Sequence, residues 1–234
     1  MTSEVKTNTI SESSSGSGVT IDGVKLKDSG IESSSGSRVL ASDSGSAWSW
    51  GSGLPSGSIV QVQYFQKTDT ASMTNIAKET DYVLQDSSSP ATSASTTGIL
   101  QVDITPRIAG SKIWLQVQWF GEVLTSDVAY NMMFIIYRDT TILKAPQADS
   151  RTCGIASMSI SYYNADAGTT PENAFLQYFD THGISAGTQI TYKLGINQSN
   201  AASSEIYTNR TEDDNTGATN ERGVSSICAI ELAP

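Results

Sequence analysis

The chain has 234 residues, 38% of them hydrophobic and only 16% charged, with a net charge of −10; about 25% charged is usual for a soluble domain. That balance repels polyanions and argues against nucleic-acid binding, which needs clustered Lys and Arg. The longest wholly apolar run, residues 132–137, is far shorter than the ~20 residues of a membrane-spanning helix, and two cysteines with one histidine exclude a disulfide scaffold or a zinc module.

Taken in chain order, residues 1–10 are polar and hold no apolar core of a signal peptide, so none is expected. Composition then divides the chain near residue 55, into a Ser/Gly-rich N-terminal anchor or stalk (1–55) and a head (56–234). The first part contains a repeat: residues 12–19 read ESSSGSGV and residues 32–39 read ESSSGSRV, twenty positions later. A word repeated at fixed spacing suits stacked structural units better than a free linker. Between the copies, VTIDGVKLKD alternates Val19, Ile21, Val24 and Leu26 with polar residues around Asp22-Gly23. Asp-Gly in that setting predicts a two-residue β-hairpin turn. A lone hairpin does not persist in water, so the apolar side chains Val19, Ile21, Val24, Leu26 and Ile31 are expected to pack against a partner. Trp48 and Trp50 are expected to plug the junction with the head; a sugar-stacking or partner-docking patch is the alternative.

From about residue 58 the chain reads as ten or so short strands. Residues 112–120 (KIWLQVQWF) put Ile113, Leu115, Val117 and Trp119 on one face, and residues 188–196 (TQITYKLGI) do the same with Ile190, Tyr192, Leu194 and Ile196. Weaker members lie at 58–65, 99–104, 152–161 and 224–232. At most, residues 71–79 would hold a turn or two of helix. Period-2 alternation between turn clusters predicts an all-β protein, with an antiparallel sandwich or jelly-roll head behind an extended, hairpin-containing arm. Two strands, 131–137 (NMMFIIY) and 174–179 (AFLQYF), are apolar on both faces. An antiparallel sheet normally leaves one face wet, so each needs a covering loop or a second subunit. The interface is the expectation taken forward, with Met132, Phe134, Phe175 and Phe179 at it.

The acid–base inventory is thin. His182 lies in a turn, where a solvated role is expected, and there is no Gly-x-Ser-x-Gly elbow and no phosphate-binding loop. Residues 212–215 (EDDN) form an acidic loop before the last strand; neither a glycosidase carboxylate pair nor a calcium loop has that spacing. Cys153 and Cys228 are expected to be buried free thiols, a bridge being the alternative. No enzymatic activity, cofactor or metal is expected. Sequons at Asn197 and Asn209 carry weight only on a secretory route.

The N-terminal EVKTNTISE followed by GVTIDGVKLKDSGI resembles the anchor segments of structural proteins from marine and freshwater tailed phages. SGSIVQVQYFQKTDT, DITPRIAGSKIWLQVQ, TQITYKLGI and the closing SSICAIEL resemble the jelly-roll heads of the same proteins. Such heads are similar to the trimeric tumour-necrosis-factor-like jelly roll. The resemblance implies a homotrimeric virion surface protein, a capsid decoration (cement) protein on the capsid exterior. The runner-up is a short tail or vertex fibre whose tip binds a receptor or host surface glycan through loops such as 86–97 and 197–204. It implies docking on the major capsid protein or another virion protein through Glu4, Val5, Lys6, Thr7, Asn8, Thr9 and Ile10, with neither nucleic acid nor membrane as partner.

Overall fold

A computed structural model describes residues 19–21, 24–27, 30–33, 38–43, 47–50, 54–123, 132–147, 149–157, 168–199, 203–218 and 220–234; within 19–50, Leu26 and Ile31 are the side chains described. These residues form seventeen strands and no helix.

Strands β1 (Val19–Ile21), β2 (Val24–Lys27), β3 (Gly30–Ser33), β4 (Arg38–Asp43) and β5 (Ala47–Trp50) pair in chain order as an antiparallel sheet. The register Val19 opposite Leu26 and Ile21 opposite Val24 leaves Asp22-Gly23 as a two-residue connection. The hairpin is thus two strands of five. Each copy of the repeated word ends on a strand residue, Val19 in β1 and Val39 in β4, so the repeat marks strand entry.

The remaining strands are β6 (Ile59–Lys67), β7 (Ala71–Ile76), β8 (Tyr82–Val83), β9 (Gln101–Ile104), β10 (Lys112–Val123), β11 (Met132–Arg138), β12 (Thr141–Leu143), β13 (Ala156–Ser157), β14 (Glu172–Asp180), β15 (Ile190–Gln198), β16 (Ser204–Thr208) and β17 (Ser225–Leu232). They build two antiparallel sheets packed face to face. In the first, β10 carries β14 along one edge and β17 then β16 along the other, with β6 outside β17 and β7 outside β16. In the second, β11 and β15 are central, flanked by β12 and β13 on one side and by β8 and β9 on the other.

Alternation decides which side chains meet between the sheets. Ile113, Leu115, Val117 and Trp119 of β10 face Ile190, Tyr192, Leu194 and Ile196 of β15, all fully buried. Each such side chain contributes about 1.5–3 kcal/mol relative to exposure. Trp119 lies 5.4 Å from the Phe134 ring and donates its indole N–H to Thr208 Oγ1 at 3.0 Å. Gly121, where β10 passes from β17 to β16, has no room for a Cβ, which would overlap the Tyr207 carbonyl oxygen and the Trp119 ring. A polar clamp joins the sheets: Asp180, closing β14, accepts from Arg138 Nη1 and from Tyr192 Oη, both at 2.7 Å.

Three expectations need correction. Residues 71–76 form a strand rather than a helical turn: Met73 and Ile76 are fully buried against the core. Asn75 adopts φ 60° at an irregular register with β16, which shifts Ile76 to the inner face and hides the period of two. Met132 and Phe134 are core residues with no exposed surface, so neither side chain is presented to a second subunit. The other face of β11 is covered by this chain itself: Ile135 and Tyr137 cluster with Val83, Ala94 and Ile142. Lys193 Nζ holds the covering segment by donating to the Ala94 and Thr96 carbonyls at 2.8 and 3.1 Å. Of the strand expected at 152–161, Ala156–Ser157 pairs with β11, and 158–161 lie outside the described residues.

Candidate functional site

The outer face of the first sheet is the most distinctive surface among the described residues. Because Ile113, Leu115 and Val117 point into the core, their neighbours Trp114, Gln116 and Gln118 point out, and the ladder registers place three rows across four strands. One row is Val62, Ile230, Trp114 and Phe179; the next is Tyr64, Cys228, Gln116 and Gln177; the third is Gln66, Ser226, Gln118 and Phe175. No charged residue stands among them; Lys112 lies at the rim. Phe175 is 62% exposed, Phe179 58% and Tyr64 76%. The Trp114 and Phe179 rings stack at 5.5 Å with 7° between planes, and Trp114 donates to Gln177 Oε1 at 3.3 Å. That cross-strand pair organises the face without hiding it.

With its rim along residues 112–120, the face measures roughly 20 by 30 Å at about 4.8 Å between strands and about 3.3 Å per residue. That is about 600 Å², near the ~800 Å² per partner of a standard interface. It ends at β14, whose only ladder partner among the described residues is β10. The Cys228 thiol sits half-buried in the middle row, its pKa raised by burial.

The residues that would carry chemistry are dispersed and built into structure. His182 is buried, not solvated as its turn position suggested: its Nδ1 accepts from the Ile184 amide at 2.9 Å, so Nε2 carries the proton in the neutral ring. No Ser, Cys or carboxylate is hydrogen-bonded to it among the described residues. The acidic loop is only partly solvated. Asp213 and Asp214 are exposed, but Glu212 lies beside the buried Glu122, which in turn neighbours the buried Glu172. Glu122 accepts from the amides of Thr170 (3.3 Å) and Glu212 (2.6 Å), and Glu172 from that of Val123 (3.1 Å). Burial raises the Glu122 carboxyl against these hydrogen bonds; it lifts Glu172 to about 7, with the Glu122 charge adding. Glu212 is raised by burial and then by Glu122. A carboxyl near 7 suits a general acid. Here, however, Glu172 is only 5% exposed and its Oε2 is taken up by the Val123 amide, so the group fastens the start of β14 to the end of β10. Among the described residues no three His, Cys, Asp or Glu side chains are grouped to hold a metal ion.

Both sequon asparagines are buried. Asn209 donates to the carbonyls of Lys67 and Asp69 and accepts from Ser225 Oγ, while Asn197 donates to Asp81. Neither amide is presented for glycan transfer. Cys153 and Cys228 are free thiols. Of the expected packing residues in 19–31, Leu26 is 46% exposed and Ile31 partly buried; the side chains of Val19, Ile21 and Val24, with Trp48 and Trp50, lie outside the described set. So do residues 4–10.

Sequence reasoning placed Phe175 and Phe179 on the outer face but missed Val62, Tyr64 and Trp114 as their companions. The sign was available: Trp114 alternates with the core residues of its own strand. Glu122 and Glu172 were missed because a glutamate at a strand end reads as surface.

No protein-family model matches the chain, and no curated protein matches it either.

Proposed function

We propose that the protein is a non-enzymatic virion surface protein that works as a homotrimer, decorating the capsid exterior through its N-terminal segment. The observation that carries this reading is the uncharged outer face of the first sheet. Two copies of a chain with net charge −10 repel one another over most of their surface. A face of twelve uncharged positions, three of them aromatic side chains with more than half of their surface open, is where self-association costs no charge burial. A monomer rarely leaves so much apolar surface in water. Phe175 and Phe179 stand on the edge strand β14, where three copies of a jelly-roll head would bring them together about a threefold axis. The virion assignment rests on the resemblance of the anchor and head segments.

The mechanism is adhesion. Three N-terminal segments from one trimer grip neighbouring coat subunits, and tethering makes the second and third contacts intramolecular, worth a gain of about 10²–10⁴ in avidity. Decoration of that kind braces the shell against the pressure of packaged DNA. Deleting residues 2–30 tests the reading. The truncated chain is expected to stay folded and trimeric and to be lost from purified particles when the full chain is retained. Full occupancy by the truncated chain would overturn the anchor role.

A further inference from the structure

Among the described residues β6 has only β17 as a ladder partner and β14 has only β10, so these two strands are opposite edges of the first sheet. Each is nine residues long. Residues 59–66 and 173–179 contain no charge, no proline and no glycine. β14 keeps register with β10 from Glu172 to Asp180 without a bulge, and β6 keeps register with β17 from Gln61 to Lys67. Residues 62–66 are exposed in succession, so both faces of β6 stand in water. The other outlying strands are short or covered. β8, β9, β12 and β13 have two to four residues. β7 is flanked by Ser87, whose amide donates to the Ser72 carbonyl at 2.9 Å and whose carbonyl accepts from Thr74 at 3.1 Å. Long, flat, uncharged edges are templates for another chain, and proteins usually blunt them with charge, proline or a bulge.

Strand direction and charge identify the partner. β6 is antiparallel to β17, β17 to β10 and β10 to β14, so β6 and β14 run in opposite directions. Rotating a second copy about an axis along the strands sets its β6 beside the first copy's β14 and continues the antiparallel pattern. Every second residue of each strand then gives both its N–H and its C=O to the other. The two edges meet without burying a charge, although each chain carries −10. The rows of the uncharged face end on Val62, Tyr64 and Gln66 at β6 and on Phe179, Gln177 and Phe175 at β14, so the face runs on across the junction. Because two different edges are joined, the contact is heterologous and repeats from copy to copy until a ring closes. We propose that copies of this chain join edge to edge, β14 of one pairing with β6 of the next, in a continuous sheet whose uncharged face turns toward the ring axis. This rests on the homotrimer reading above and adds the contact that builds the trimer.

The test is amide hydrogen exchange of the full chain, read peptide by peptide and compared with Phe179→Ser as a single chain. In the assembly, about half of the amides in both 59–67 and 172–180 are expected to exchange at least about tenfold more slowly, with β15 unchanged. Cross-linking checks which edges meet. In a background of Cys153→Ser and Cys228→Ser, chains carrying Tyr64→Cys and chains carrying Gln177→Cys should be joined by a short bismaleimide when mixed, and neither should be joined when alone. A trimer whose two edges exchange as fast as in the single chain would overturn the edge pairing and leave the assembly reading standing. Protection of β14 alone, or Gln177→Cys chains that cross-link to one another, would overturn it in favour of a twofold contact. A parent protein of 24.8 kDa would overturn both readings.

Discussion

Strands β11 and β14 each carry apolar residues on both faces, and each turns one face into the core. On β11 the second face is closed by the same chain: Ile135 and Tyr137 are buried under a segment tethered by Lys193. On β14 the second face, Phe175 and Phe179, is open, stacked only sideways on Trp114. The period of two is identical in the two strands; what differs is whether a long connection crosses the outer face. Residues 84–100 do so over the second sheet, and none of the described segments does so over β14. Apolar alternation therefore reports that a face must be covered and leaves open which chain covers it.

The comparison can be broken at several points. The largest effect is expected where β14 is held from inside. Asp180→Ala strands Arg138 and the Tyr192 hydroxyl without their acceptor, and should cost about 3–5 kcal/mol in chemical denaturation. Next comes the covered face: Ile135→Ala should destabilise by about 3 kcal/mol, because the covering segment cannot fully collapse into the space. Gly121→Ala should cost a similar amount, about 3 kcal/mol, by forcing a Cβ into the Tyr207 carbonyl.

The other end of β14 gives a pH signature. Glu172 has its pKa raised from 4.5 to about 7 in the folded chain, so the folded state holds its proton more tightly than the unfolded state. That stabilisation is complete below about pH 4.5 and is lost as pH rises through 7, by about 3 kcal/mol at 1.36 kcal/mol per unit. Glu172→Gln should flatten this limb, matching the parent near pH 4.5 and exceeding it near pH 7.5. Thermal melts of both proteins across that window check the sign, and a parallel pair of curves would refute it.

The smallest effect on folding, and the sharpest contrast with Ile135→Ala, belongs to the open face. Phe179→Ser should change the stability of the single chain by no more than about 0.5 kcal/mol, while lowering the native mass to that of a monomer.

Much of the first sheet and the core was legible in the amino-acid sequence, because β10 and β15 place core residues at every second position over seven residues and the Asp-Gly turn sets its own register. Strand β7 was not, because one left-handed asparagine moves Ile76 out of phase. β8 and β12 have two and three residues, too few to show a period. Of the candidate interface, Phe175 and Phe179 were legible, whereas Met132 and Phe134 could not be told from them, since burial by one's own chain and burial by another leave the same pattern. The Asp81 carboxylate held between Lys144 and Asn197 was invisible: the three come from distant segments, and only folding brings them together.

The most direct test of the open face as a subunit interface is the native mass of the full chain by light scattering. The account predicts about 74 kDa, three chains of 24.8 kDa, dropping to one chain on Phe179→Ser. A parent protein that runs at 24.8 kDa at every concentration would contradict it.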